Sequence, residues 1–521
     1  MFINLFLTIT VILAGGFEIS AKSKVALSIF CKPSSLDPAR ITYVHEHALG
    51  SLINGKLIKL DDNGNPIPYL AAKWSIKGNT VTFHIAKDAC WSDGETIKAE
   101  HFVLGMKRVL DPQTASYDLS QMEALQLKKD KGGEYWIRAL DEKTLEMKFN
   151  RDLKGSILTI VHILTLSGCS PVRGDFIGDN GEFVDKVAFS GPWALKKEEP
   201  GRILFTKNMN YHGKDDIRIE DIEVYVVSDP QTEMEMYKNG ELNLILFPSP
   251  DNVKILQNIG ELRAGSENSL KYISFNCKNK FLKNAKIRKA LTLAMDRKEL
   301  IGAILQDHSF PAMALVPPGY RGRKGDFRDE SGKDMFANSD MENARKILEE
   351  GKRELGVEEI SLSIEIVGSA INQKVAQYLA HEMKKRLGIE ITINVCSPSL
   401  LGARIEKGDY AMKFDRWVAD FPVNPISFFA FLKSDSSSYL VNWENKEFNK
   451  IVSNAEGESD FGKVISNLIK AESILFEKNG GEFPICPLMF SNRSYGAKPN
   501  LKNVKLNAGA FALDLMESYI D

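Results

Sequence analysis

A chain of 521 residues with 43% hydrophobic and 26% charged side chains holds apolar material for two or three globular domains, which excludes a disordered protein. Lys and Arg number 67 against 69 Asp and Glu, a formal net charge of -2, so no global field draws the chain to nucleic acid or to anionic lipid. The six cysteines (Cys31, Cys90, Cys169, Cys277, Cys396, Cys486) lie far apart with no C-x-x-C pair. That scatter argues against a structural zinc site and requires no disulfide framework, although one or two bridges stay open.

Phe2 to Phe17 form an apolar run too short to span a bilayer comfortably, followed by small and polar residues around Ala21. The pattern is that of a secretion signal over 1–21, although no Lys or Arg precedes it; a core strand or an uncleaved anchor is the alternative. Cys31 is too far downstream for a lipid-attachment box, and the expected mature product is soluble and exported.

Val25 to Phe30 alternate like a half-buried strand stopped by Pro33 and the Asp37-Pro38 turn. Val81–Ala86 and Thr144–Phe149 alternate likewise, and between them Phe102, Met106, Val109 and Leu110 form the stripe of an amphipathic helix ended by Asp111-Pro112. Arg202–Lys207 and Asp221–Val227 are predicted strands, with a short helix after Pro230 ending near Gly240. Lys271–Asn276 is another predicted strand, and Ile287, Ala290, Leu291 and Ala294 mark a helix face. From Ser361 the order is strand SLSIEIV, helix QKVAQYLAHEMKKRL capped by Gly388, strand IEITINV, a βαβ unit that demands parallel pairing and an α/β class.

Catalytic signatures are missing: there is no G-x-S-x-G elbow, no Walker A loop and no G-x-G-x-x-G after a strand. His45 and His47 flank Glu46 without further ligands, which favours a polar surface over a metal site. His381-Glu382 is followed by Lys385 rather than a second histidine, so a zincin helix is excluded. No catalytic residue, metal or cofactor is expected.

With these segments in place the chain resembles the extracellular solute-binding proteins of the peptide, dipeptide and nickel class (family 5), and most of all the oligopeptide-binding proteins of ABC importers. Ser35-Leu36-Asp37-Pro38 is similar to the family's opening S-L-D-P. Asn54, Gly64, Pro68, Leu70, Ala71 and Trp74 follow its "EGL…G…P.LA..W" segment, and Phe83–Glu95 with Ala99-Glu100 resembles "F.LR.GV.WSDG…TA.D". Ser190-Gly191-Pro192-Trp193 stands for G-T-G-P-Y, followed by Asn208 and Tyr211. Phe275-Asn276, Ile287–Ala290 and Ala294–Arg297 are similar to "FN…VR.A…A.DR", and Trp417–Phe421 with Pro425 to the W-x-A-D-Y segment. Each motif alone is weak; together, in the family's order, they are specific.

The resemblance implies a periplasmic-binding-protein-like, two-lobed hinge fold (type II, three domains). Domain I would comprise 22–58, 187–272 and 487–521, domain II 59–186 and domain III 273–486, with hinge strands near Tyr272 and Cys486. The implied function is capture of a short peptide between the lobes by a periplasmic monomer and its delivery to an inner-membrane ABC permease. A peptide-binding envelope chaperone or signalling adaptor, or a hydrolase, is the alternative. By the same resemblance Asp420 would hold the peptide ammonium, and Trp417, Val418 and Ala419 would pair with its backbone. Arg416 and Phe414 depart from the family, which has a small residue and an arginine there; Arg416 could pair a ligand carboxylate or shorten the site. Trp74, Trp91 and Trp193 are expected to pack cores.

Overall fold

The structure is a computed structural model that describes residues 23–521 except 62–64, 124, 154, 156, 159, 185, 307–308, 420–423, 435–440, 478–479 and 508–511. The expected signal over 1–21 and Asp420 therefore lie outside the described residues.

Two long antiparallel strands, Leu262–Phe275 and Ile485–Ala497, form the middle of an 11-stranded sheet. On one side of the pair stand Met412–Val418, Ser361–Val367 and Glu390–Cys396. On the other stand Leu244–Ile245, Lys24–Ile29, Asp221–Val226, Arg202–Lys207 and Trp193–Glu199. The predicted βαβ unit is there: Ser361 pairs with Glu390 and Val367 with Cys396 in a parallel ladder. The helix between them, Ala370–Leu387, ends on Gly388 at φ 68 and ψ 17, the left-handed conformation that a glycine adopts without Cβ strain.

The directions of these strands position the cleft. Lys24–Ile29 lies parallel to Asp221–Val226 and Leu244–Ile245, and the last of these is antiparallel to Ile485–Ala497 through Leu244 to Ala497 and Ile245 to Gly496. Their carboxyl ends thus point along the connecting pair toward its centre. From the far side, Met412–Val418 is antiparallel to Leu262–Phe275, with Met412 opposite Phe275 and Val418 opposite Ser269, and Ser361–Val367 is parallel to it. These ends point at the same level from the opposite direction. At that level the connecting ladder lapses: Gly265 pairs with Arg493, and the next pair is Ser269 with Ser491.

Three large hydrophobic cores surround this frame. One, on the Leu270, Ile364, Phe429 and Leu468 side, is packed by helices. A second, with Val25, Trp193, Phe205 and Leu515, lies under the opposite half of the sheet. A third, around Phe83, Trp91, Phe102 and Leu145, is built by the antiparallel sheet of Ala71–Lys77, Thr80–Ile85, Thr144–Lys148 and Ile137–Asp141 with helix Ala99–Leu110. Trp91 and Trp193 are buried and Trp74 is partly so, as expected.

Several motif residues act as staples. Asp37 of S-L-D-P takes a buried bidentate fork from Arg108 (2.8 and 2.6 Å), tying the opening turn to helix Ala99–Leu110. Gly191 donates its amide to Ile53 O (2.8 Å), and Asn208 Nδ2 donates to Gly191 O (2.9 Å). Arg297, 0% exposed, donates to the carbonyls of Pro487 (2.7 Å), Asn338 (2.9 Å), Met295 and Thr292 (both 3.1 Å), so it fixes the base of a connecting strand. All six cysteines are free among the described residues.

One expectation is overturned. His45, Glu46 and His47 belong to no polar surface; they are buried in helix Val44–Ile53. Glu46 explains why: its carboxylate accepts from the amides of Ser34 (2.7 Å), Thr42 (2.9 Å) and Tyr43 (3.0 Å) and from Ser34 Oγ (2.5 Å). Burial alone would raise its pKa, but these bonds pull it below the ordinary glutamate value. The histidines are carried inside with it, and the described residues contain no cluster able to hold a metal ion.

Candidate ligand cleft

Where strand ends converge at a change of connectivity, main-chain groups and side chains of both halves can meet a ligand. Among the described residues, Met412–Val418 pairs fully with Leu262–Phe275 on one edge but with Ser361–Val367 only at Met412 and Lys413 on the other. From Phe414 to Val418 no strand among the described residues pairs with that second edge, which is the geometry that strand addition uses.

Side chains alternate along this strand. Lys413, 5% exposed, and Asp415 leave on one face, where Lys413 Nζ lies 2.5 Å from Asp415 Oδ2 and Tyr272 OH donates to the same oxygen at 3.3 Å. Asp415 Oδ1 takes the Arg416 amide at 2.9 Å. Burial, with the Asp415 charge beside it, pushes the Tyr272 phenol well above its ordinary pKa, so it stays a donor. Trp417, on the same face, stacks on Phe431 at 4.6 Å between centroids, and Phe431 meets Tyr272 at 5.6 Å. Its Nε1 finds no hydrogen-bond partner among the described residues. Val418 is half-buried, Ala419 is buried, and Arg416 is exposed on the other face. Although solvent reaches Arg416, the surrounding protein desolvates its guanidinium and lowers its pKa.

The facing wall starts at the carboxyl end of Lys24–Ile29. Phe30, 45% exposed, lies 4.6 Å from the His45 ring and 6.5 Å from Phe247, and the exposed Tyr43 stacks on His45 at 5.8 Å. This wall is aromatic, whereas the other is backbone and charge. A polar recess of about 350 Å³ lined by Asn276, Glu406, Tyr410 and Asn442 lies at the opposite end of the strands, away from the convergence.

The structure thus brings Arg416, Trp417, Val418 and Ala419 to the convergence. Sequence reasoning missed Lys413, Asp415 and Tyr272 on the one side and Phe30 and Tyr43 on the other. The available signal was the i, i+2 pair of opposite charges at Lys413 and Asp415, which share a face only on a strand.

A sheet of this topology with two halves joined by long strands, and a cleft at the strand ends, defines a periplasmic-binding-protein-like α/β protein. The chain belongs to the bacterial extracellular solute-binding proteins, family 5, whose sequence profile matches residues 65–439. It is 26% identical over 515 residues to an oligopeptide-binding protein of Bacillus subtilis, covering 94% of this chain and 91% of the relative. A crystal structure of the substrate-binding domain of an oligopeptide ABC transporter from Bacillus anthracis is 25% identical, with a TM-score of 0.70 over 96% of this chain and 99% of that one. The murein tripeptide binding protein MppA in an unliganded open form shares the fold at a TM-score of 0.82 and 20% identity, over 96% and 97% of the two chains. No helix among the described residues is long and apolar enough to cross a membrane.

Proposed function

We propose that this chain is the substrate-binding component of an ABC importer, a periplasmic monomer that captures a short peptide between its lobes and hands it unaltered to an inner-membrane permease. The similar proteins, an oligopeptide-binding protein and the substrate-binding domain of an oligopeptide transporter, support this. The observation that carries it is the edge from Phe414 to Val418 at the convergence of strand ends, with which no strand pairs among the described residues. A receptor for varied peptides draws affinity from what all peptides share, and an open edge offers hydrogen bonds without regard to side chains. Trp417 and Val418 belong to that edge, Ala419 follows it, and Asp420, next in the chain, takes the terminal ammonium by a charge-assisted bond. Separate cores around Trp193, Trp91 and Phe429 support a division into three domains.

Calorimetry with Ala-Ala-Ala and its N-acetylated form tests this. The free peptide binds one to one and is recovered intact, and acetylation or Asp420→Ala weakens it by the equivalent of about 2 to 5 kcal/mol. Equal affinity for the two peptides removes Asp420 from its role, and hydrolysis of the peptide makes the chain an enzyme.

A further inference from the structure

The antiparallel sheet of Ala71–Lys77, Thr80–Ile85, Thr144–Lys148 and Ile137–Asp141 packs only one of its faces. Alternation sends Val81, Phe83, Leu145 and Met147 into the core with helix Ala99–Leu110, and none of the residues between them is buried. That outward face is basic. Lys77 pairs with Thr80 and Thr80 with Lys148, which sets two lysines in one row; Lys73 lies opposite His84, and Arg138 opposite Glu146. Lys128, exposed, adjoins the row: its amide donates to Lys148 O at 2.8 Å and its carbonyl accepts from the Trp136 amide at 2.7 Å. Arg138 and Lys148 both stack on the Trp136 ring, 3.9 and 4.0 Å from its centre. The acids among these cations are engaged. Glu146 Oε1 meets Lys148 at 3.3 Å and accepts from Trp136 Nε1 at 2.9 Å, Asp130 Oδ2 meets Arg138 at 2.7 Å, and Asp141 at the margin accepts from the Lys143 amide at 2.8 Å. Lys73, Lys77 and Lys128 form no ion pair among the described residues.

We infer that this face docks the protein on an anionic phospholipid surface. The net charge of -2 supplies no attraction at a distance, so the contact is local and sets the orientation of the molecule. Ammonium groups on flexible stems, spread about 5 Å apart between strands and about 7 Å apart along them, meet a plane of charge rather than one ligand. A protein partner would need an apolar centre to bury against. The outward positions are Lys, Ser, Thr, His, Arg and Glu, the Trp136 ring already carries two cations, and Leu140, 56% exposed on the edge strand, is too little apolar surface for such a centre. Each basic residue brought to an anionic bilayer multiplies the partition about fivefold, and the attraction fades within a Debye length, about 10 Å at 0.1 M salt. The docking does not depend on what the cleft binds; for a receptor, it confines the search for a permease to the plane of the membrane.

Vesicle flotation of the purified protein tests this. In about 0.1 M salt the protein floats with vesicles containing phosphatidylglycerol and stays behind with vesicles of phosphatidylcholine alone, and about 1 M salt releases it. Lys73→Gln, Lys77→Gln and Lys128→Gln combined lower the ratio of bound to free protein by about tenfold or more. The same change of charge at three exposed lysines elsewhere, Lys254→Gln, Lys283→Gln and Lys374→Gln, leaves that ratio within about twofold. Both triple variants keep the wild-type urea midpoint, since all six side chains are exposed. The proposal is overturned if the protein does not float with phosphatidylglycerol, if it floats equally well with phosphatidylcholine, or if the two triple variants lose binding alike. Binding to polyglutamate without binding to vesicles also overturns it and gives the face to an acidic protein.

Discussion

Protonating His47 would put a charge on a ring that is 7% exposed, with Nδ1 3.1 Å from Ser167 Oγ. Burial, reinforced by the positive charge of Lys56, pulls its pKa from the ordinary value down to about 4. The unfolded chain therefore binds this proton more tightly than the fold does. Stability is full above about pH 6.5, declines as the pH falls, and stops declining near pH 4, where the folded ring also protonates. The shift corresponds to a loss of about 2 to 3 kcal/mol between pH 7 and 4.5. Urea unfolding at the two pH values measures it, and His47→Gln should shrink the difference by that amount; parallel behaviour of variant and wild type would contradict the assignment. That His45 and His47 are buried at all was not legible in the sequence. The cause is the set of four hydrogen bonds to Glu46, two of them from Ser34, which lies 12 positions away and outside any local pattern.

Elements with a clean period were legible nearly to the residue. Arg202–Lys207 and Ser361–Val367 fall where alternation puts them, and Phe102, Met106, Val109 and Leu110 are all buried in helix Ala99–Leu110. Met412–Val418, the strand that matters most for the site, was identified as a strand by no pattern. Its sequence, MKFDRWV, sets Lys413 and Asp415 on a buried face, where they neutralise each other and erase the apolar alternation that marks a strand. Gly105 is a silent requirement of the same kind. A Cβ there would overlap the Ser170 carbonyl oxygen, a main-chain atom that no rotamer change can move aside. Gly105→Ala gains about 1 kcal/mol of helix propensity. Overpacking against a fixed backbone costs about 1 to 3 kcal/mol, and a rigid carbonyl puts this site at the upper end. A net loss of about 1 to 2 kcal/mol, seen as a lower urea midpoint at unchanged slope, is the expected outcome. A stabilised variant would mean that helix Ala99–Leu110 slides freely over Ser170.

At the scale of the molecule, the lobes are joined through Leu262–Phe275 and Ile485–Ala497, and the lapse in their ladder between Gly265 and Ser269 lies beside the cleft. Only Lys271–Asn276 of the first strand was legible, since pairing with a partner more than 200 positions away leaves no local period. Side chains also bond to the main chain between the lobes elsewhere: the Arg151 guanidinium donates to the Glu456 carbonyl and the Ser459 hydroxyl to that of Asp152. A ligand moves the lobes only by as much as it binds one arrangement better than another, and a peptide that bridges Phe414–Val418 and the Phe30 wall touches both lobes only when they approach. A compact chain of about 500 residues has a radius of gyration of about 23 Å. Small-angle scattering should give a larger value for the ligand-free protein and a decrease toward that figure on adding saturating peptide. Asp420→Ala, assayed at the same peptide concentration, should leave the larger value in place because the ligand no longer bridges. If saturating peptide binds and the radius stays constant, the cleft is preformed, and recognition of the loaded receptor by a permease would have to rely on something other than lobe closure.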